Sequence, residues 1–159
     1  MLISRKDMVS HGKRALLHHT RYRKGTTVPN ELNANAQKWV DALRSGEYTQ
    51  GRKALHEDNE FCCLGVACDL YAKEVGGTWV KEPDGSTAFY FMVNGYSSQD
   101  NLPMPVVEWL GLNTNDGFLI PDSSPGVAQS LIELNDNFRF DFKKIADVIE
   151  SQPKGLFDA

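Results

Sequence analysis

One run constrains this chain more than any other: Glu60-Phe61-Cys62-Cys63-Leu64-Gly65-Val66-Ala67-Cys68-Asp69-Leu70-Tyr71. It is the most apolar stretch of a polar sequence, it holds all three cysteines, and turn-forming residues flank it. Such a run predicts a helix buried nearly all round, so the other elements must pack about it. Asp58 or Asn59 is placed to cap the first turn, and the carboxylates of Glu57, Asp58 and Glu60 suit the positive end of the helix dipole. Gly65 costs about 1 kcal/mol of helix propensity relative to alanine. A close approach by another element would explain it. Asp69 is a carboxylate within an apolar run, so it either takes the one open face or is buried against a cation, with Arg44, Arg52 and Lys53 as candidates.

Around this run the periodicity predicts further elements. Leu32, Ala36, Trp39, Val40 and Leu43 recur at helical spacing over residues 31–45, with Gly46 at the C-terminal stop. Trp39 reads as a core anchor. After Gly76-Gly77 the pattern changes to strands. Residues 78–81 and 88–93 flank a Pro83-Asp84-Gly85 turn and make a hairpin. A polar loop over residues 94–101 is followed by a short helix to Leu110 with Trp109 inward, closed by Gly111. A strand at residues 118–120 and a helix at 127–134, ended by Asn135-Asp136-Asn137, come next. A last helix at residues 142–151 is capped by Asp141 and buries Phe142, Ile145, Ala146 and Ile149, and Leu156-Phe157 is placed to fold back. The expected fold is α+β: helices packed around a buried central helix, with a small antiparallel β-hairpin sheet on one side.

With 159 residues the chain is expected to hold one core, within a domain spanning residues 31–159. Residues 1–30 form a basic arm with a thin helical stripe over residues 4–19. Its Arg5, Lys6, Lys13, Arg14, Arg21, Arg23 and Lys24 against Asp7 give +6, so a net charge of −4 leaves −10 on the rest. A basic arm on an acidic body can meet nucleic acid, an acidic partner or its own body. Without interleaved aromatics the nucleic-acid signal is weak. No apolar run is long enough for a membrane span, and Met1 to Asp7 lacks a signal-peptide core, so a cytoplasmic location is expected. Three cysteines, two of them adjacent, read as reduced thiols.

Cysteine catalysis, metal binding, cofactor binding and ligand capture are the chemistries these residue types allow. A cysteine hydrolase would use Cys62 or Cys63 in the first turn of the helix, where the dipole lowers a thiol pKa. His56 would be the base, and Asn135 or Asp136 the orienting group. The neighbouring acidic cluster opposes this, and buried reduced cysteine is common core filling. Metal binding finds no support, because the cysteines form no Cys-x-x-Cys pair and His18-His19 diverge on a helix. No cofactor loop of the Walker or dinucleotide type is present. The remaining candidate is a ligand-binding segment, Arg44, Tyr48, Gln50, Arg52 and Lys53, which offers cations, a phenol and an amide between two helices.

Two stretches together carry a family resemblance. Trp39-Val40-Asp41-Ala42-Leu43-Arg44-Ser45-Gly46-Glu47-Tyr48-Thr49-Gln50-Gly51 leads to Phe61-Cys62-Cys63-Leu64-Gly65-Val66-Ala67-Cys68-Asp69-Leu70, and Leu134-Asn135-Asp136 is followed by Ile145-Ala146-Asp147-Val148-Ile149-Glu150. The chain resembles a family of small uncharacterised proteins of tailed phages and prophages over roughly residues 36–150. The resemblance implies an accessory protein acting in a host cytosol by binding. It would sequester a small phosphate-bearing ligand such as a nucleotide signal in counter-defence, or engage a host protein, and either role is compatible with a homo-oligomer. The resemblance carries no site residues with it.

Overall fold

The structure is a computed structural model, described for residues 31–123 and 126–157. The basic arm and its helix over residues 4–19 lie outside the described residues. A compact unit begins at Leu32.

The first helix, α1 (Ala34–Ser45), starts where Asn33 accepts a 2.8 Å bond from the Ala36 backbone N–H. The Asn33 amide also donates to Leu110 O at 2.7 Å, which ties this helix start to a distant turn. The helix ends at Gly46, whose φ of 80° is the left-handed conformation that glycine adopts without strain. Its apolar stripe of Ala36, Trp39, Val40 and Leu43 is buried. It packs against α5 (Phe142–Glu150), whose buried face is Phe142, Ile145, Ala146 and Ile149 as expected.

The cysteine helix is α2 (Cys63–Glu74), and every residue from Cys63 to Cys68 is buried, with Tyr71 following on the next turn. Its start differs from the sequence expectation. Asp58 and Asn59 do not cap it. They form the two-residue turn between β2 (His56–Glu57) and β3 (Glu60–Phe61), with Asp58 at φ 51°. The cap is Cys62, whose Sγ accepts from the Gly65 N–H at 3.4 Å. Asp58 tolerates positive φ better than most side chains, so the acidic cluster builds a hairpin. Gly65 has the use expected of it: a Cβ there would sit 1.7 Å from Leu55 O, so the backbone before β2 lies directly on the helix.

Among the described residues the main sheet has six strands, a wider arrangement than the single hairpin expected. Its order is β1 (Thr49–Gln50), β3, β2, β5 (Ala88–Val93), β4 (Thr78–Lys81), and only β1 with β3 is parallel. β6 (Tyr96–Ser98) pairs with β5 beyond β2, on the same edge. The polar loop expected at residues 94–101 is therefore partly strand: Asn94-Gly95, at φ 48° and 83°, makes the tight turn into β6. The hairpin of β4 and β5 stands as expected. Along β5, Phe89, Phe91 and Val93 face inward, and Phe91 is fully buried.

The C-terminal half supplies α3 (Met104–Leu110), with Trp109 against Tyr71, and a two-stranded sheet of β7 (Phe118–Leu119) and β8 (Gln129–Ser130). α4 (Leu131–Asp136) starts later than expected and contains Asn135 and Asp136. Ser130 and Glu133 make a reciprocal capping box, which sets the start. Leu156 folds back and is fully buried, and Phe157 bridges to Leu112. The molecule is α+β, with helices packed around α2 and the sheet on one side.

Candidate functional site

The segment from Arg44 to Lys53 leaves α1, forms β1 and returns toward α2. Its side chains divide among three environments.

The first is a buried network centred on Asn135, which has no exposed surface. Its Oδ1 accepts from Gln50 Nε2 at 2.9 Å and from the Cys63 N–H at 3.2 Å. Its Nδ2 donates to Gly51 O at 3.0 Å and to Asp136 Oδ1 at 2.8 Å. Both lone pairs and both N–H groups of the amide are thereby used. Gln50 Nε2 also donates to Phe140 O at 2.8 Å, and the Lys53 backbone N–H donates to Asp136 Oδ1 at 3.0 Å. Trp39 Nε1 donates to Cys63 O at 2.9 Å, so four separate stretches meet at the start of α2. Cys63 N–H has no partner inside its own helix, and Asn135 satisfies it. Gln50, read as a ligand-binding amide, is held inward here.

The second environment surrounds Asp69. Its Oδ2 accepts from Tyr48 OH at 2.7 Å and lies 3.0 Å from Lys73 Nζ, while its Oδ1 accepts from Trp79 Nε1 at 3.1 Å. The cation is Lys73, one turn along the same helix, and not Arg44, Arg52 or Lys53. Burial pushes the Asp69 carboxyl up, but the bonds from Tyr48, Lys73 and Trp79 outweigh it and hold the group below its ordinary range. Burial, then the bond to Asp69, raises the Tyr48 phenol. The carboxylate first, then the phenol, raises Lys73.

The third is a surface cavity of about 290 Å³ where Arg44, Tyr48 and Gln50 meet Lys143, beside Leu43, Gly46, Asp141 and Phe142. Arg44 reaches α5, with Nη2 2.6 Å from Asp147 and Nη1 2.9 Å from Glu150. Those bonds, Glu150 before Asp147, raise its already high pKa. Arg52 and Lys53 do not line this cavity. Arg52 has its Nε enclosed without a hydrogen-bond partner, and the Lys53 side chain is exposed at a residue with φ 72°. The sequence thus located three of its five ligand-binding candidates on one opening. Lys143 was missed, because it lies almost a hundred positions away in the chain.

The cysteine–histidine arrangement does not assemble. All three thiols are free and buried. Burial pushes Cys62 up to about 12 and raises Cys63 and Cys68 well above their usual value, the reverse of a dipole-activated nucleophile. Cys63 Sγ donates to Leu131 O at 3.6 Å, and neither thiol hydrogen-bonds to His56. The His56 ring is stacked between Phe61 and Phe89, with centroids 4.1 and 4.3 Å away, and Trp79 stands edge-on at 4.9 Å. Burial lowers its pKa, and its Nδ1 is enclosed without a hydrogen-bond partner. Asn135, the candidate orienting group, is spent on the network above. Among the described residues no cluster of histidine, cysteine or acidic side chains could hold a metal ion, and no helix is long and apolar enough to cross a membrane.

These features define a small α+β domain whose central helix is locked at its start by one buried polar network and tied along its length by a second, partly exposed one. The chain belongs to the family defined by a domain of unknown function, DUF8296, whose model matches residues 33–153. No curated protein and no solved structure matches it.

Proposed function

We propose that this chain is a non-enzymatic accessory binding protein of phage type that captures a small phosphate-bearing ligand in the Arg44–Lys143 cavity. Its setting is the host cytosol, and its role is to sequester a nucleotide signal in counter-defence. The observation that carries this reading is convergence: Arg44, Tyr48 and Gln50, together with Lys143 from the other side, line one opening. Lys143 brings a cation with no carboxylate partner among the described residues, and Tyr48 brings an aromatic ring. Arg44 is already shared between Asp147 and Glu150, which favours a ligand of low charge over a polyphosphate. The resemblance to phage proteins supplies the setting.

The test is a thermal-shift screen with cyclic and linear nucleotides on the full chain, followed by Lys143→Glu. A nucleoside monophosphate should raise Tm, and the exposed Lys143→Glu substitution should remove most of that shift without altering the unliganded Tm. No stabilisation by any nucleotide at high excess sinks the reading. The rival role, docking to a host protein through the hairpin, draws on Met92 and Tyr96, which are 41% and 47% exposed. Pull-down from host lysate with Met92→Lys would separate it from ligand capture.

A further inference from the structure

A second cavity, of about 320 Å³, lies between the β7–β8 sheet, α4 and the C-terminal end of α5. Its walls include Leu119, Leu134, Phe140 and Val148, with Asp122 and Ser151 among its polar lining residues. We propose that this cavity binds a small organic cation with an apolar body, in the manner of an arylalkylammonium.

Three observations point to that class. The volume is at the lower end of the roughly 300–1,000 Å³ usual for small-molecule sites, and the lining is mostly apolar, so the body of the ligand is a compact hydrocarbon or aromatic group. Among the described lining residues the ionisable charge has one sign. Asp122 is the sole ionisable side chain among the lining residues described, so a cationic head group has a partner and an anionic one has none. Lys144 Nζ already rests 3.8 Å from the Phe140 ring centroid, so the cationic head group belongs at Asp122 and Phe140 meets the apolar body.

The site is independent of the Arg44–Lys143 cavity and has the opposite charge preference. Each is the control for the other. Three ligands of one shape and three charges decide the matter: phenethylammonium, phenethyl alcohol and hydrocinnamate, titrated into the isotope-labelled full chain with backbone amide shifts as readout. Phenethylammonium should move the Leu119, Gln129 and Leu134 amides and bind about fivefold tighter than the alcohol, as expected for one partly exposed ion pair. Asp122→Asn, a surface change, should reduce the ammonium to the affinity of the alcohol and leave the alcohol unaffected. The proposal is overturned if the alcohol or hydrocinnamate binds as tightly as the ammonium. It is also overturned if Asp122→Asn leaves the ammonium preference intact, or if none of the three moves those amides at saturating concentration.

Discussion

Replacing Asn135 with alanine removes one side chain and strands the polar groups it serves. The Cys63 N–H and Gly51 C=O lose their partners in a buried place where water does not easily replace them. At roughly 1–3 kcal/mol for each orphaned group, the loss should be about 3 kcal/mol. In urea denaturation it should appear as a lowered midpoint with an unchanged slope. Gly65→Ala is expected to be at least as damaging, because the clash at 1.7 Å is with the Leu55 backbone and not with a side chain that could turn aside. Asp69 gives the pH dependence. Its folded pKa lies below the unfolded one, so its contribution is present above the ordinary carboxylate range and is lost as pH falls through the depressed folded value. Lys73 runs the other way, contributing below the ordinary lysine range and losing its contribution as pH rises through its raised value. Asp69→Asn should therefore flatten the acid limb of a stability-against-pH curve. An acid limb identical in wild type and variant would contradict this assignment.

At the scale of elements, some signals stand clear in the sequence and others are masked by their neighbours. Trp39, Val40 and Leu43 on α1 and Ile145, Ala146 and Ile149 on α5 follow helical spacing strictly, and both helices formed there, although α1 begins at Ala34 and not at residue 31, because Asn33 caps it and leaves Leu32 outside. Asn94-Gly95 is a strong short-range hairpin signal, because both residues accept positive φ, yet the polar residues after it obscured β6. Ser130-Leu131-Ile132-Glu133 carries the capping-box pattern that fixes the start of α4. Ser130→Ala should cost about 1 kcal/mol, measurable as a shifted urea midpoint. The acidic cluster before α2 reads equally well as a cap or a turn. Pairing of β2 with β5 decides for the turn, and sequence spacing does not report that contact.

At the scale of the molecule, the burial of the thiols makes a direct prediction. Cys62, Cys63 and Cys68 are at most 5% exposed, and burial holds all three protonated. A thiol reagent should therefore label them at the rate of global unfolding, and faster labelling of Cys62 in native protein would contradict the arrangement described. The candidate site was partly legible. Arg44, Tyr48 and Gln50 are close in the chain and share a cavity, but their polar atoms are committed to Glu150 and Asp147, to Asp69, and to Asn135. The cation left over, Lys143, belongs to a different helix. Each of these partners is distant in sequence except through the fold, so residue type alone could not separate a ligand-binding group from an internal tie.

The sequence by itself determined the α+β class, the buried cysteine helix and the glycine that lets another backbone approach it, because apolar periodicity and the steric freedom of glycine are local properties. The tertiary structure alone decided what caps that helix, which cation meets Asp69, and that Gln50 faces inward to Asn135. Those are matters of hydrogen-bond satisfaction between segments far apart in the chain, and a buried donor takes whichever acceptor the packed backbone brings within reach.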